Sequence, residues 1–351
     1  MGFKIINEVE EWDKLYNQLK KKSILSSFKY VNAASKLENG GECFAAVFQK
    51  NGYFVFHPLI KRKISEEEIL TDLVSVYDFS GFWFNTEDQN IINDLILNFD
   101  KEYSKYCNTN HIVTEFSRIY PFNDIKILQD TSYNIDLHNN NVVINLYDEY
   151  DLIFKNYDPK RRNKINQSLK NKLTFVRDDD IQKFIKIYYK NLDRVTASQF
   201  YYFSVNFFKE IENMCDIFYV YDENNEVCAG HIYLKDNNKY FLFLFAGVFK
   251  KLNLRPNCFA INEAIKYSKS KGYEFFHLGS GNHQELQYYK ESFSKTRLKY
   301  YTIKKIFKKN SYDHLVSIAN KFYDDTNSGK FFPEYRKFDL PYKPKEFNIE
   351  E

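Results

Sequence analysis

The sequence lacks the features that define several large classes of protein. Nowhere does it hold the roughly 18 consecutive apolar residues that a bilayer-spanning helix needs, so a membrane-attached substrate has to be met at the surface, by peripheral contact. Paired cysteines are missing as well. Cys43, Cys107, Cys215, Cys228 and Cys258 stand far apart, their number is odd, and none forms a CxxC or Cys/His pair with zinc-ligand spacing. They read as reduced, mostly buried thiols, with no metal site among them. Charge of one sign is not in excess either, with 50 Lys and Arg against 47 Asp and Glu, a net of +3. That speaks against wrapping of DNA and leaves room for a local basic patch. No Ser-His-Asp order, metal-ligand cluster or nucleotide P-loop points to a hydrolase, a metalloenzyme or an NTPase. The first residues, MGFKIINEVEEWDKL, carry charges where a signal peptide needs an apolar run, and the Met-Gly start is half of a myristoylation motif. A soluble, cytoplasmic protein is expected.

What is present is enough chain and enough apolar content for two cores: 351 residues, 44 % of them apolar. Glu42–Leu59 reads as a hairpin, with the runs CFAAVFQK and YFVFHPL flanking Asn51-Gly52, the preferred pair for a tight type I′ turn. A strand is predicted at Leu73–Tyr77, then a loop at Asp78–Gly81. A helix follows over Ile91–Tyr106, from the spacing of Ile91, Leu95, Leu97 and Phe99, and then a strand at His111–Phe116. The second half repeats this order. Ile217–Tyr221 and Val227–Leu234 form a hairpin around Asn224-Asn225, and a turn at Asn237-Asn238 leads to the apolar strand Tyr240–Ala246. A helix capped by Asn257 runs to Ser270 with Gly272 at its end, and Phe275–Leu278 is a short strand. The recurrence of hairpin, strand, helix, strand predicts a divergent internal duplication in an α/β (α+β) protein, with mixed, mostly antiparallel sheets flanked by helices. The expected domains are 1–137, 138–310, and a C-terminal helix with an extended tail over 311–351.

Two segments carry candidate chemistry. The first is Tyr157–Leu173, YDPKRRNKINQSLKNKL. Asp158 suits an N-cap and Pro159 the first helical position. Ile165 and Leu169, four apart, are the expected buried stripe, and Lys160, Arg161, Arg162 and Lys164 crowd the first turns. Cations at the positive end of a helix dipole cost stability unless an anion sits nearby, and free N–H groups beside Arg forks make a phosphate or carboxylate site. The alternative is a solvated charged helix. The second segment is His277–Phe293, HLGSGNHQELQYYKESF, a strand running into Gly279-Ser280-Gly281 and then a helix. On it Lys290 is either a site residue or a snorkelling cation beside a core stripe.

These segments together resemble the second half of FemAB-type transferases and their polysaccharide-locus relatives, a branch of the GNAT (acetyltransferase) superfamily. Arg162 and Ile165 match the family's basic helix, and Gly279, Gly281, Leu286, Lys290 and Phe293 match its closing motif. In the first half VYDFSGFW (Val76–Trp83) is similar to the family's Tyr-x-x-x-Gly loop. EFSRIYPF (Glu115–Phe122) is similar to its Phe-x-Arg-x-His-Pro segment, with Tyr120 in place of His. The resemblance spans residues ~40–300 and implies two tandem GNAT-like domains that transfer an acyl or aminoacyl group to an amine of a cell-envelope precursor, of peptidoglycan or surface-polysaccharide type.

On that resemblance Lys290 belongs at the reacting end of a cleft between the halves. Arg161 or Arg162 holds acceptor phosphates, the Tyr77–Gly81 loop lies on the acceptor side, and Gly279, Ser280, Gly281 and Phe293 contact substrate. Tyr77 and Asp78 are candidates for taking the amine proton, although a loop Asp is also a common turn former. The donor is an aminoacyl-tRNA or an acyl-CoA, with no cofactor held tightly. In CoA-dependent relatives a Gly-rich turn cradles the pyrophosphate. The corresponding stretch here, KKLNLRPNCFAINEA, has no glycine, and Arg255 is its candidate for charge. This favours a charged tRNA. A catalytically inactive binding protein of the same fold is the reading from another class.

Overall fold

The computed structural model describes residues 2–38, 40–64, 69–322 and 331–337; the extended tail expected at the C-terminus lies, past residue 337, outside the described residues. In chain order the elements begin with β1 (Gly2–Ile6), α1 (Val9–Gln18), α2 (Phe28–Ser35), β2 (Glu42–Lys50), β3 (Tyr53–Lys63), β4 (Thr71–Val74), β5 (Trp83–Phe84), α3 (Gln89–Thr109), β6 (Ile112–Arg118) and β7 (Asn134–Asn145). There follow α4 (Tyr150–Lys155), α5 (Pro159–Leu169), β8 (Thr174–Arg177), α6 (Ile181–Arg194), α7 (Val205–Ile211), β9 (Cys215–Tyr221), β10 (Val227–Asp236) and β11 (Lys239–Gly247). The last are α8 (Pro256–Ser270), β12 (Phe275–Gly279), α9 (Gln284–Glu291), β13 (Arg297–Ile306) and α10 (Lys309–Phe322). The chain divides into two units, Met1–His138 with Tyr300–Glu351, and Asn139–Lys299.

Within each unit the same plan appears. In the first, β1-β2-β3-β4 are antiparallel neighbours and β6 lies parallel to β4 after the long helix α3. In the second, β8-β9-β10-β11 are antiparallel neighbours and β12 lies parallel to β11 after α8. Two helices follow the first strand of each series. This is the expected duplication of mixed, mostly antiparallel sheets. The turns form for the predicted reasons: Asn51 and Gly52 have φ of 53° and 83°, the two positive values that a type I′ turn requires. Asp88 caps α3 by accepting from the Asn90 and Ile91 N–H groups, and Leu95, Ile96, Phe99, Tyr103 and Cys107 form its buried stripe.

Two expectations are corrected. The boundary predicted at 310 falls at Lys299/Tyr300. Residues Thr302–Ile306 of β13 pair with Thr114–Arg118 of β6, and Tyr312 and Leu315 of α10 pack with Val113. A sequence pattern identifies a strand but not which open sheet edge it fills. The second unit's own outer strand is the end of β7, antiparallel to β12. The cap of α8 is not Asn257 but Arg255, in the left-handed conformation with φ 62°, because Pro256 takes the first helical position.

A buried ionic cluster binds the C-terminal segment into the first unit. Asp72 of β4 is 1 % or less exposed and takes Arg62 in a fork, Nε at 2.9 Å and an Nη at 3.2 Å. Arg336 forks onto the same carboxylate, with one contact at 3.1 Å, and the Tyr335 hydroxyl donates to it at 3.1 Å. Burial opposes ionisation of Asp72, but the two guanidinium groups overcome it and hold the carboxyl below its usual range. A depressed carboxylate pKa contributes stability above the ordinary value, and this is lost as the pH falls through the folded-state value. Asp72→Ala takes the shared carboxylate from two buried guanidinium groups, of which Arg62 keeps Glu38 at 2.9 Å, so a loss of about 3 kcal/mol, the lower end for a broken buried pair, is expected in urea unfolding of the full chain. A loss below about 1 kcal/mol would mean that the cluster behaves like a surface pair.

Candidate active site

Backbone geometry makes the two units differ where β4 faces β6 and where β11 faces β12. In the first unit the parallel pair is closed past the end of β4. The Ser75 N–H donates to the Phe116 carbonyl at 3.1 Å, the Ser80 N–H to the Arg118 carbonyl at 2.8 Å, and the Tyr120 N–H to the Ser80 carbonyl at 2.7 Å. In the second unit β11 and β12 pair over Lys239–Phe241 and Phe275–His277 and then part, while β11 continues to Gly247. A bulge at Phe243 bends β11 at this point: Leu242 pairs with Tyr233 and Leu244 with Ile232, which leaves Phe243 over. Parted strands leave backbone groups and side chains available to a ligand. The second unit therefore holds the candidate site.

The end of β12 is shaped by steric need. Gly279 has φ 74°, and a Cβ there would stand 3.1 Å from the Lys290 Nζ. Gly281 lies against the first turns of α9, and its N–H donates to Gln287 Oε1 at 2.7 Å. Its carbonyl accepts from Asn139 Nδ2 at 3.3 Å. Lys290 is 8 % exposed and donates to the Ser280 carbonyl at 2.8 Å. It is thus an ammonium buried against the Gly-Ser-Gly turn and does not snorkel to the surface. His277 is buried beside Phe241, at a ring distance of 4.2 Å. Burial first, then the cations of Lys290 and Lys239, pushes its imidazole down to about 3, so it stays neutral at neutral pH.

The basic helix α5 separates into two faces. Lys160 and Lys164 are exposed, and no acid stands in its first turn. Asp158 sits at the cap position but makes no side-chain cap bond. Arg162 turns back to the end of α4, where its Nη1 donates to the Lys155 and Tyr157 carbonyls at 2.7 and 2.5 Å. This satisfies helix-terminal carbonyls, so its role is to join two helices. Arg161 is 5 % exposed and points inward. Its Nε donates to Ser292 Oγ at 2.7 Å, an Nη to Cys258 Sγ at 2.8 Å, and its plane lies 4.3 and 4.6 Å from the Tyr289 and Phe293 rings. Arg161 therefore does not stand open to solvent as an acceptor-phosphate ligand. Phe293, 1 % exposed, is core and supports that guanidinium from below. Arg255 is exposed at the head of α8, and its side chain has no hydrogen bond or ion pair among the described residues.

The Tyr77–Gly81 loop belongs to the first unit. Asp78 has a left-handed φ of 70°, and the Tyr77 carbonyl accepts from the Tyr30 hydroxyl at 3.1 Å. The Gly81 carbonyl accepts from His57 Nδ1 at 2.8 Å, and His57 Nε2 meets Glu115 Oε1 at 2.9 Å, all in full burial. Burial opposes ionisation of Glu115, but the His57 charge and hydrogen bonds from His57, Tyr103 and Ser117 hold its carboxyl low. His57, Glu115, Cys258 and Ser292 are structural or site groups that sequence reasoning missed. Cys258, third in a helix opened by Pro256, was the one with a local signal. No group of His, Cys, Asp or Glu among the described residues is arranged to hold a metal, and no described helix is long and apolar enough to cross a membrane.

This arrangement is a FemAB-like GNAT-type fold. No protein-family profile and no curated protein sequence matches the chain. Among solved structures, FemX is similar with a TM-score of 0.68 at 11 % identity, over 90 % of this chain and 99 % of that one. L-PGS from Bacillus licheniformis is similar with a TM-score of 0.54 at 12 % identity, over 85 % and 91 %. The C-terminal domain of a putative lysylphosphatidylglycerol synthetase from Agrobacterium fabrum is similar with a TM-score of 0.51 at 10 % identity, over 82 % and 94 %.

The turn at Gly281 can be tested without a substrate. A Cβ there would lie 2.2 Å from the Gln287 N and 2.7 Å from its Cα, both helix backbone. Gly281→Ala should cost about 1–3 kcal/mol, as overpacking does, and speed amide exchange in α9. Gly2→Ala, with open space around it, should do neither. Unchanged melting and exchange in Gly281→Ala would show that α9 is not set by this contact.

Proposed function

We propose that the protein is an acyltransferase that passes an acyl or aminoacyl group to an amine of a phosphate-bearing cell-envelope precursor, of peptidoglycan or surface-polysaccharide type, in the cytoplasm. The observation that carries this reading is Lys290, an ammonium buried against Gly279-Ser280-Gly281 where β11 and β12 part. The fold shared with FemX supports the class of reaction.

The chemistry asks little of the protein, because the donor is already activated. The amine nitrogen attacks the donor carbonyl carbon, the C–N bond forms, the C–O or C–S bond breaks, and the amine proton is lost. Lys290 neutralises charge growing on the carbonyl oxygen or on a substrate carboxylate. Gly279 and Gly281 let the donor approach backbone, with Ser280 between them. Tyr77 and Asp78 are proposed as the proton acceptors, with Gly81 in the same acceptor-side loop. Lys160 and Lys164 are the exposed cations of α5 that would meet acceptor phosphates.

An aminoacyl-tRNA is the donor we favour. The connection from β11 to α8 is a tight 3₁₀ turn over Phe249–Leu254, and Pro256 has no N–H to give an anion. The space over Gly247 is taken by the Leu252 and Asn257 side chains, 2.7 and 3.0 Å from where a Cβ would stand. A pyrophosphate cradle of backbone N–H groups does not fit this arrangement. Arg255 would then meet a tRNA phosphate. An acyl-CoA donor to a nucleotide- or lipid-linked amino sugar is the second reading, for which the same Arg255 supplies the charge.

Product mass after incubation with charged tRNA, against labelled acyl-CoA, separates the donors; no product from either returns the chain to a binding role. With the working donor, Lys290→Ala should lower single-turnover transfer by about 10²–10³, measured on protein still folded at the assay temperature because the Ser280 carbonyl loses its donor. Lys290→Arg should rescue it incompletely, since a planar fork does not replace a point charge. Near-normal turnover in Lys290→Ala overturns the assignment.

A further inference from the structure

One end of the second unit's sheet collects groups that the proposed reaction does not use. β11 ends at Gly247 and runs into the Phe249–Leu254 turn. The β9–β10 turn lies beside it, since Lys251 pairs with Asp222 and Glu226. α6 arrives with Arg194, whose guanidinium stands 5.4 Å from the Phe249 ring. α5 arrives with Leu169 and Lys170, and the next residue, Asn171, donates from Nδ2 to the Leu254 carbonyl at 3.1 Å. The loop after α6 is tied to the candidate site by Tyr201, whose hydroxyl accepts from Asn282 Nδ2 at 3.0 Å, one residue past Gly281.

The apolar content of this end is out of place. Phe249 is 66 % exposed, and Leu169, Val195 and Phe200 are exposed as well. Leu169 comes four residues after the buried Ile165, where the helical period would bury it, yet it faces water. Single apolar residues on a surface need no explanation, but several at one end, set among cations, mark a contact surface. The charge is unbalanced too. Lys172 takes Glu223, Lys251 takes Asp222 and Glu226, and the Tyr202 hydroxyl donates to Asp193. Lys170, Arg194 and Lys250 have no acidic partner among the described residues. Arg255, assigned to the donor, is not counted with them.

The mixture of side chains selects the partner. Cations without acids attract an anionic surface, and apolar side chains between them enter it to the depth of the headgroups. An RNA strand would suit the cations and could stack its bases on the Phe rings, but Leu169 and Val195 offer a base no ring face. We propose that this end of the second unit is a peripheral membrane-docking surface. Phe249, Phe200, Val195 and Leu169 insert at the headgroup boundary of an anionic phospholipid layer, and Lys170, Arg194 and Lys250 meet its phosphates. The surface stands on its own geometry. That it brings a lipid-linked acceptor to the turn at Gly281 rests on the acyl-transfer reading.

The test is co-sedimentation of the full chain with phosphatidylcholine vesicles, with and without about 30 % phosphatidylglycerol, at about 0.1 M salt. The chain should bind the anionic vesicles, not the neutral ones, and more weakly as salt rises. Lys250→Ala and Arg194→Ala should each lower the partition constant about fivefold. Phe249→Ala should lower it about tenfold, and Leu169→Ser and Val195→Ser by smaller factors. Leu97→Ser, at an exposed position of α3 in the first unit, should change nothing. These side chains are exposed, so melting should stay at the wild-type value. No binding to anionic vesicles, equal binding to both kinds, or binding that the substitutions leave unchanged overturns the docking surface. Uncharged tRNA held through Phe249 and Lys250, with no vesicle bound, makes this an RNA surface and overturns it as well. So does self-association that Phe249→Ala abolishes. The assay contains no acyl donor, so a failure here leaves the transfer reading standing, and failure of both donors leaves the docking surface standing.

Discussion

The parting of β11 from β12 is the constraint on which the rest of the second unit depends. Two parallel strands that pair for three residues and then diverge leave backbone groups that must be satisfied by something other than each other. The bulge at Phe243 lies where the pairing stops, and Gly279, at a positive φ and still paired with Val142 of β7, ends β12. α9 then packs so closely on Gly281 that no side chain fits there, which fixes where its Lys290 stands. The ammonium is held by a carbonyl of the turn that it faces, so the turn and the cation position each other. A change at either end would move the other.

Arg161 applies a second constraint to the same elements. Its stem enters from α5, its fork reaches Cys258 on α8, and Ser292 follows α9, so one side chain ties three helices together. Desolvation makes this arrangement expensive unless the charge is answered. The stacked rings of Tyr289 and Phe293 return part of that cost, of order 2 kcal/mol when a cation–π contact is desolvated. The burial of Arg161 also changes the meaning of a basic helix: of its cations, Lys160 and Lys164 alone keep the open, unpaired character of an anion-binding face, while Arg162 is spent on the carbonyls of α4.

Much of the architecture was legible because it rests on local chemistry. Asn51-Gly52 announces its turn by the φ values it tolerates, and the stripe of α3 follows from a 3.6-residue period. The repeated order of hairpin, strand, helix and strand was legible for the same reason. The destination of β13 was not, since any amphipathic strand fits any open edge. At the site, Gly279, Gly281 and Lys290 were visible as a strand ending in glycines before a helix. The inward turn of Arg161 was invisible, because direction around a helix is decided by what it packs against. Ile165 marks the buried face, and Arg161, four residues earlier, lies on that same face. That spacing could have been read, but a charged residue on a buried stripe is discounted by composition-based reasoning.

The two units carry one plan, yet they resolve the same strand pair in opposite ways, and the difference marks the candidate site. In the first, Ser75, Ser80 and Tyr120 bring backbone hydrogen bonds across the gap, and Gly81 is sealed by His57 and Glu115 in a fully buried network. A polar network of that kind, with each of its members bonded, rigidifies a core and is poorly suited to exchanging a ligand. In the second, the two strands pair over three residues only, and Lys290 from α9 donates to the Ser280 carbonyl just past β12. A duplicated fold needs both copies to fold but only one to react. Leaving the pair open in the second brings the Gly279–Gly281 turn and the buried ammonium of Lys290 together just past the end of β12, which is why that end, and not its counterpart, is the candidate site.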